Sequence, residues 1–447
     1  MRRSRCAVDG LAGFFACPAG PARALQRLAQ RISGTYEQVK DVLDKTLAII
    51  LAGGIGSRLF PLTEERAKPA VPFGGKYRII DFTLANCLHS DIRRVLVLTQ
   101  YKSHSLQKHL RDGWSIFNPE LGEYITPVPP QMRVDDEWYS GTANAIYQNL
   151  YMVERSGADW ILILSGDHIY RMDYAEMIKA HIETQADVTV ACMDVPAAQA
   201  GAFGVMQIGA GSRVVDFYEK PAQPLPGSVD DEGVPVSMGI YVFSRRRLLD
   251  ELRRDHDDPD SSHDFGGDIL PSLIDSASVY AYRFGGESGR VTPDRYWRDV
   301  GTIDAYYEAN MSLLDPVPPL DLYQSDWTIR TYQEQTPPAR TVPGESGNEG
   351  VFVNSIVSGG SVIAGGGVNH SVLFSNVRVG DEAIVEDAIL FNGVVVGDGA
   401  QVKHCIVDKG VVIPPGESIG VDPVRDRERF HVSDAGIVVI PKHYRFA

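Results

Sequence analysis

From Ile356 to Ile419, aliphatic residues return at close to every sixth position: Ile356, Val362 and Val368, then Leu373, Val379 and Val385, then Leu390, Val396 and Val402, then Val407, Ile413 and Ile419. Small residues, Gly and Asn fill the gaps. Few folds accommodate that spacing. A flat β-sandwich alternates apolar and polar side chains at every second residue and turns by hairpins. A step of six instead gives one strand per face of a triangular parallel coil, each step pointing one aliphatic side chain inward. A parallel β-helix is therefore predicted for residues 350–447.

Upstream the texture differs. From Thr46 to about Asp299, short continuous apolar runs (Leu47 to Leu51, Val95 to Leu98, Ile161 to Leu164, Val188 to Ala191) alternate with helix-like stretches such as Ala143 to Val153 and Tyr174 to Thr184. Strands buried on both faces read this way, and alternation with helices predicts an α/β domain around a mostly parallel sheet over residues 46–314. Ligands bind such sheets beyond the carboxyl ends of the strands. Residues 315–349, rich in Pro and polar side chains, read as an irregular connection. With 447 residues the chain is too long for one ordinary core, in keeping with two domains.

Residues 1–45 read as a tail without fixed structure. The first 31 residues carry six Arg and a single acid, Asp9, around the apolar patch Leu11 to Cys17. A transit peptide has similar charge, but the Ser enrichment of such segments is missing, which favours a frayed tail or an upstream start codon. The net charge of −15 argues against a nucleic-acid partner, which demands surplus Lys and Arg. No apolar run reaches the roughly 20 residues that span a bilayer. The five cysteines are scattered without a Cys-x-x-Cys pair, as expected of a reduced, cytoplasmic chain without a zinc site.

The residues able to do chemistry begin with Leu51-Ala-Gly-Gly-Ile-Gly-Ser-Arg58, directly after a predicted strand. Bare backbone amides there can meet a phosphate, although the stretch is neither a Walker loop nor a dinucleotide fingerprint. Cations follow it between prolines, in Arg66-Ala-Lys-Pro-Ala-Val-Pro-Phe-Gly-Gly-Lys76. Arg58 and Lys68 are the candidates for a triphosphate. Asp167 comes just after the strand ending at Leu164, and Asp299 sits in a second Gly-flanked turn. A single Asp after a strand is commonly a helix cap, but a pair from two strand ends is what Mg2+ needs beside substrate phosphates. His168 reads as structural, because Mg2+ prefers oxygen.

With these residues in view, the chain resembles the bacterial ADP-glucose pyrophosphorylases (glucose-1-phosphate adenylyltransferases), from about Leu47 to near its C-terminus. The resemblance is carried by Trp138-Tyr-Ser-Gly-Thr142, Ser165-Gly-Asp-His-Ile-Tyr170, Phe203-Gly-Val-Met206, Glu219-Lys-Pro221, Ser237-Met-Gly-Ile-Tyr-Val-Phe243, Ser262-His-Asp-Phe-Gly266 and Tyr296-Trp-Arg-Asp-Val-Gly301. It implies a Rossmann-like nucleotidyltransferase domain followed by a left-handed parallel β-helix with regulatory and oligomerising roles. It also implies adenylyl transfer from ATP to glucose 1-phosphate, the glucosyl-donor step of glycogen or starch synthesis, with Mg2+ on Asp167 and Asp299.

By the same resemblance Leu51, Ala52, Gly53, Gly54, Gly56, Gln100, Tyr139, Gly141 and Thr142 face ATP. Lys220 grips the sugar phosphate, Glu219 takes hexose hydroxyls, and Ser237, Tyr241, Asp264, Phe265 and Trp297 complete the hexose pocket. Arg78, Lys409 and Lys442 match effector positions for a small anion, and a homotetramer is expected. Three departures stand out: Ile55 where relatives carry a polar residue, Asn144 where Asp is usual, and Glu65 where enterobacterial relatives use a Lys for a sugar-phosphate activator. Rival readings are a pyrophosphorylase for UTP, dTTP or GTP, a non-catalytic regulatory subunit, and an acyltransferase coil using His370 or His404.

Overall fold

The computed structural model describes residues 39–131, 138–221, 233–285 and 295–446. The Arg-rich start therefore lies outside the described residues. Of the segment expected as a tail only the end is described, and residues 39–44 there are helical.

Strands β1 (Thr46–Ala52), β2 (Arg94–Thr99), β3 (Tyr124–Val128) and β4 (Trp160–Ser165) run parallel in the order β3-β2-β1-β4. Helices α1 (Ile79–His89), α2 (His104–Trp114) and α3 (Thr142–Tyr147) lie between them in sequence. Nearly every side chain of β1 and β4 is buried, which explains their unbroken apolar runs.

Past β4 the sheet ceases to be purely parallel. A short strand, β5 (His168–Tyr170), is followed by β6 (Val188–Val195), β7 (Gly204–Ile208), β8 (Val214–Glu219), β9 (Val234–Ser244) and β10 (Val279–Arg283). The long β9 runs antiparallel to β4, β6 and β7, while β7 and β8 pair antiparallel. Strand β11 (Trp297–Asp299) pairs antiparallel with β5, setting Asp299 opposite His168. Helix α4 (Ile303–Met311) follows, its first turn capped by the Thr302 hydroxyl, which accepts from the Ala305 amide at 3.2 Å.

The C-terminal part is a coil of short parallel strands. Three inward columns run along it: Val368, Val385, Val402 and Ile419; Leu373, Leu390 and Val407, followed by Ile440; and Ile363, Val379, Val396 and Ile413. All of these are buried. At the first turn the expected phase is off by one residue. Ile363 and Val357, not Val362 and Ile356, stand in register with Val379 and Leu373. Two aliphatic residues adjoin at each place, so spacing alone cannot choose between them. The coil also starts earlier than expected, since Arg340–Val342 pairs in parallel with Val362–Ala364.

The Pro-rich connection is irregular, yet it is packed. Leu320 and Trp327 are fully buried, and the Trp327 indole donates to Asn86 Oδ1 on α1 at 3.0 Å. The Thr331 hydroxyl reaches Asp81, a buried carboxylate that also takes the His109 ring and the Trp114 indole of α2.

Candidate active site

Three charged side chains meet at the carboxyl end of the parallel strands. Asp167 follows β4 across a tight turn in which the Gly166 amide donates to Leu51 O at 3.0 Å. Asp299 ends β11. Lys68 opens a 3-10 turn, Lys68–Ala70, held by the Ala70 amide on Ala67 O and the Val71 amide on Lys68 O. The Lys68 ammonium lies 2.7 Å from Asp167 Oδ2 and 2.8 Å from Asp299 Oδ1. The exposed guanidinium of Arg58 comes within 4.0 Å of Asp299 Oδ2.

Burial is the largest single influence on the Asp167 carboxyl and raises its pKa, but the Lys68 charge, the His168 ring and hydrogen bonds from Lys68 and Ser165 together outweigh it. The carboxyl is held well below the usual range. For Lys68, burial works downward while Asp167 and Asp299 pull upward and win. Asp167 and Lys68 are therefore both ionised at neutral pH. The Asp167 and Asp299 oxygens and a His168 ring nitrogen lie within 4.8 Å of one another, a spacing that fits one small divalent cation.

The glycine loop packs against the Lys68 turn at Gly56. Gly56 has φ 66°, and a Cβ there would press on Lys68 and Thr63, whose hydroxyl donates to Gly56 O at 2.9 Å. Gly54 and Arg58 are exposed. So is Ile55, and nothing in the structure explains that departure. Gln100, just past β2, donates to Tyr139 O at 3.3 Å. The Tyr139 ring is buried in the core with its hydroxyl accepting from Asn149, so it meets Gln100 through its backbone carbonyl. Asn144 is buried, and its side-chain oxygen accepts from the Ser140 amide and Gln148. The change from Asp thus leaves both hydrogen bonds in place.

Gly141 packs so closely on the chain at Ser262 and His263 that a Cβ would lie 2.2 Å from His263 O. Next to it the Thr142 hydroxyl donates to Asp264 Oδ1 at 2.8 Å and accepts from the Phe265 amide at 2.9 Å. Asp264 also takes the Gly266 and Gly267 amides. Among the residues expected around the hexose, Tyr241 stacks on Phe265, Ser237 donates to the Tyr241 hydroxyl at 3.4 Å, and Trp297 meets His168 and Phe203 edge-on. Lys220 is exposed, pairs with Glu219 at 2.7 Å, and holds φ 44°, a left-handed conformation uncommon outside glycine.

The expected effector residues lie elsewhere. Arg78 bonds Ser105 twice. Lys409 is pushed down to about 7 by burial and then by Arg78 and Arg66. Lys442 lies on the turn closed by the Tyr444 amide on Pro441 O, beside His443, which is 3.9 Å from Glu65. His370 pairs with Asp387, and His404 meets Tyr307, so both coil imidazoles have structural partners. Two residues absent from the expected site are Ser165, which opens the motif ending at Tyr170 and bonds Asp167, and Asp408, the buried partner of Arg66.

Residues 47–316 match the nucleotidyl transferase family, and residues 337–440 match the GlmU-like C-terminal hexapeptide family. The chain is 62% identical to glucose-1-phosphate adenylyltransferase 2 of Vibrio parahaemolyticus over 90% of its length and 100% of that protein. It is 58% identical to the Vibrio cholerae protein of the same name, over 91% of this chain and 100% of that one. It is 48% identical to glucose-1-phosphate adenylyltransferase of Methylobacillus flagellatus, over 90% of this chain and 94% of that one.

Proposed function

The chain belongs to the glucose-1-phosphate adenylyltransferase family of nucleotidyl transferases, and from that premise we propose that it joins ATP to α-D-glucose 1-phosphate, forming ADP-glucose and releasing pyrophosphate. The observation that carries this reading is the meeting of Lys68, Asp167 and Asp299 beside the glycine loop. A phosphate oxygen of the sugar attacks the α-phosphorus of ATP in line with the departing pyrophosphate. That oxygen is already ionised at neutral pH, so no general base is needed and alignment dominates. Arg58 and Lys68 stabilise charge on the leaving group. Asp167 and Asp299 would hold Mg2+, which supplies charge neutralisation on the phosphates when bound. Glu219 and Lys220 bind the sugar phosphate, with Ser237, Tyr241, Asp264, Phe265 and Trp297 around the hexose.

Pyrophosphate release from glucose 1-phosphate, measured in turn with ATP, UTP, dTTP and GTP, tests the reading. ATP is expected to be preferred. A preference for UTP would move the chain to a different substrate, and no turnover with any triphosphate would favour a regulatory subunit.

The reaction supplies glucosyl donor for glycogen in the cytoplasm, a setting in keeping with the unpaired, buried thiols of Cys87, Cys192 and Cys405. Regulation by a small anion at Arg78, Lys409 and Lys442, in a homotetramer, completes the proposal. Glu65 argues against an activator phosphate at its own position, since a carboxylate repels one.

The Lys409 shift gives this site a pH signature. An unfolded Lys keeps its proton to about pH 10.4. Between about 7 and that value the unfolded chain binds more protons than the folded one, so stability rises with pH through this window. Below about 7 the full cost of the buried ammonium stands. Lys409→Met is therefore expected to melt higher than the parent at about pH 6, where 1 kcal/mol of relief moves Tm by about 2 °C, with the gap closing toward about pH 10. A gap that is constant across this range would contradict the shift. Sulfate, whose charge is fixed here, should bind more tightly as pH falls from about 8 to about 6.

A further inference from the structure

Two of the three charged groups at the catalytic centre sit on segments anchored to the coil. Two residues before Lys68, the Arg66 guanidinium meets Asp408 Oδ1 at 2.9 Å, and the two side chains are only 4% and 3% exposed. Asp408 directly follows the coil strand Gln401–Val407, its amide donating to Ile440 O at 3.0 Å. Arg66 also reaches back to Leu62 O at 3.3 Å, so one side chain joins the segment behind the glycine loop to the coil. Further along the same segment, the Ser358 hydroxyl donates to Gly75 O at 2.9 Å. The second anchor lies beyond Asp299. Tyr307 of α4 donates its hydroxyl to Asp387 O of the coil strand Ile384–Leu390 at 2.6 Å, and its ring meets His404 edge-on. Asp167, by contrast, rises from the central sheet.

A buried ion pair adds little net stability over an apolar pair of the same size, because desolvation offsets most of the attraction. What it does impose is one geometry, since either charge left alone is costly.

We propose that the coil is a positioning element for catalysis: the Arg66–Asp408 pair fixes the Lys68 turn, and the Tyr307–Asp387 bond fixes the helix after Asp299, so that both are held in register with Asp167. Arg66, Asp408 and Tyr307 touch no reacting atom in this arrangement. They act through Lys68 and Asp299. The inference rests on the catalytic roles proposed above for those two residues.

The test uses the full-length chain and the variants Asp408→Asn, Arg66→Lys and Tyr307→Phe. Turnover is counted per folded molecule, with KM for both substrates and amide hydrogen exchange at Ala70 and Val71. Asp408→Asn is expected to lower kcat about ten- to a hundredfold, the scale of a misplacement near 1 Å, while both KM values stay within about threefold. Exchange at Ala70 and Val71 should accelerate, because their hydrogen bonds close the Lys68 turn. Arg66→Lys keeps the charge and loses only the fork geometry, so it reports on the anchor if Asp408→Asn folds poorly. Tyr307→Phe removes one hydroxyl and should cost kcat less than Asp408→Asn. A kcat per folded molecule within about twofold of the parent in all three would overturn the proposal, as would losses that only follow the unfolded fraction. If the parent itself turns nothing over, the catalytic reading fails. Exchange at Ala70 and Val71 still decides the anchor, since unchanged protection in Asp408→Asn and Arg66→Lys would refute it.

Discussion

Asp167→Ala is expected to lower kcat at saturating ATP and glucose 1-phosphate by roughly a thousandfold, the scale seen when a preorganised charge contact to a transferring group is removed. Three losses coincide in that one change. A carboxylate of the cation-sized cluster disappears, Lys68 keeps only Asp299 as its partner, and Ser165 loses its acceptor. Lys68 is nearly buried, so its charge cannot turn to water for compensation and its ammonium is drawn toward Asp299. Asp167→Asn separates these effects, since it preserves shape and an acceptor for Lys68 while removing charge. Steady-state kinetics on both, beside circular dichroism to verify folding, give the answer. A loss below about tenfold in the Ala variant would mean that the chemistry lies elsewhere.

Lys220→Ala carries the second large effect, and it falls on binding. A charge-assisted hydrogen bond contributes about 1.5–3 kcal/mol, so KM for glucose 1-phosphate should rise by about ten- to a hundredfold. KM for ATP should move by less than about threefold. Stability is expected to change little, because Lys220 is exposed and its pairing with Glu219 is open to solvent. The left-handed backbone at Lys220 calls for a control. Lys220→Gly deletes the same charge and adopts that conformation without strain, so agreement between the two variants would assign the effect to the ammonium. Equal increases in both KM values would remove Lys220 from the sugar side.

The legible part of the sequence was the part governed by local pattern. Strands buried on two faces leave unbroken apolar runs, and a coil leaves its aliphatic period, so both architectures could be anticipated. The position of Asp167 after β4 followed from the general geometry of parallel sheets. Pattern lost its grip where two neighbouring residues are chemically alike. Val362 and Ile363 suit the interior equally well, and only their register with Arg378 and Val379 decides which one enters.

Long-range pairing was hidden for a different reason. Arg66 and Asp408 are 342 residues apart, and neither differs in sequence from a solvated surface charge. The same holds for the ammonium of Lys68 lying between two carboxylates, which no spacing along the chain could reveal. Tyr139 illustrates a third limit. Its place in a motif was visible, but the direction of its ring into the core, toward Asn149, depends on tertiary packing.

The bond from Thr142 to Asp264 joins the start of α3, proposed to face the nucleotide, with the segment proposed to line the hexose pocket. A single hydroxyl is thus common to both segments, accepting from the Phe265 amide as it donates to the carboxylate. Movement of either segment alone breaks these two hydrogen bonds. On the proposed assignment the two substrates have, in the language of linked equilibria, one interaction free energy between them. Whatever factor the first to arrive imposes on the affinity of the second, the second imposes on the first.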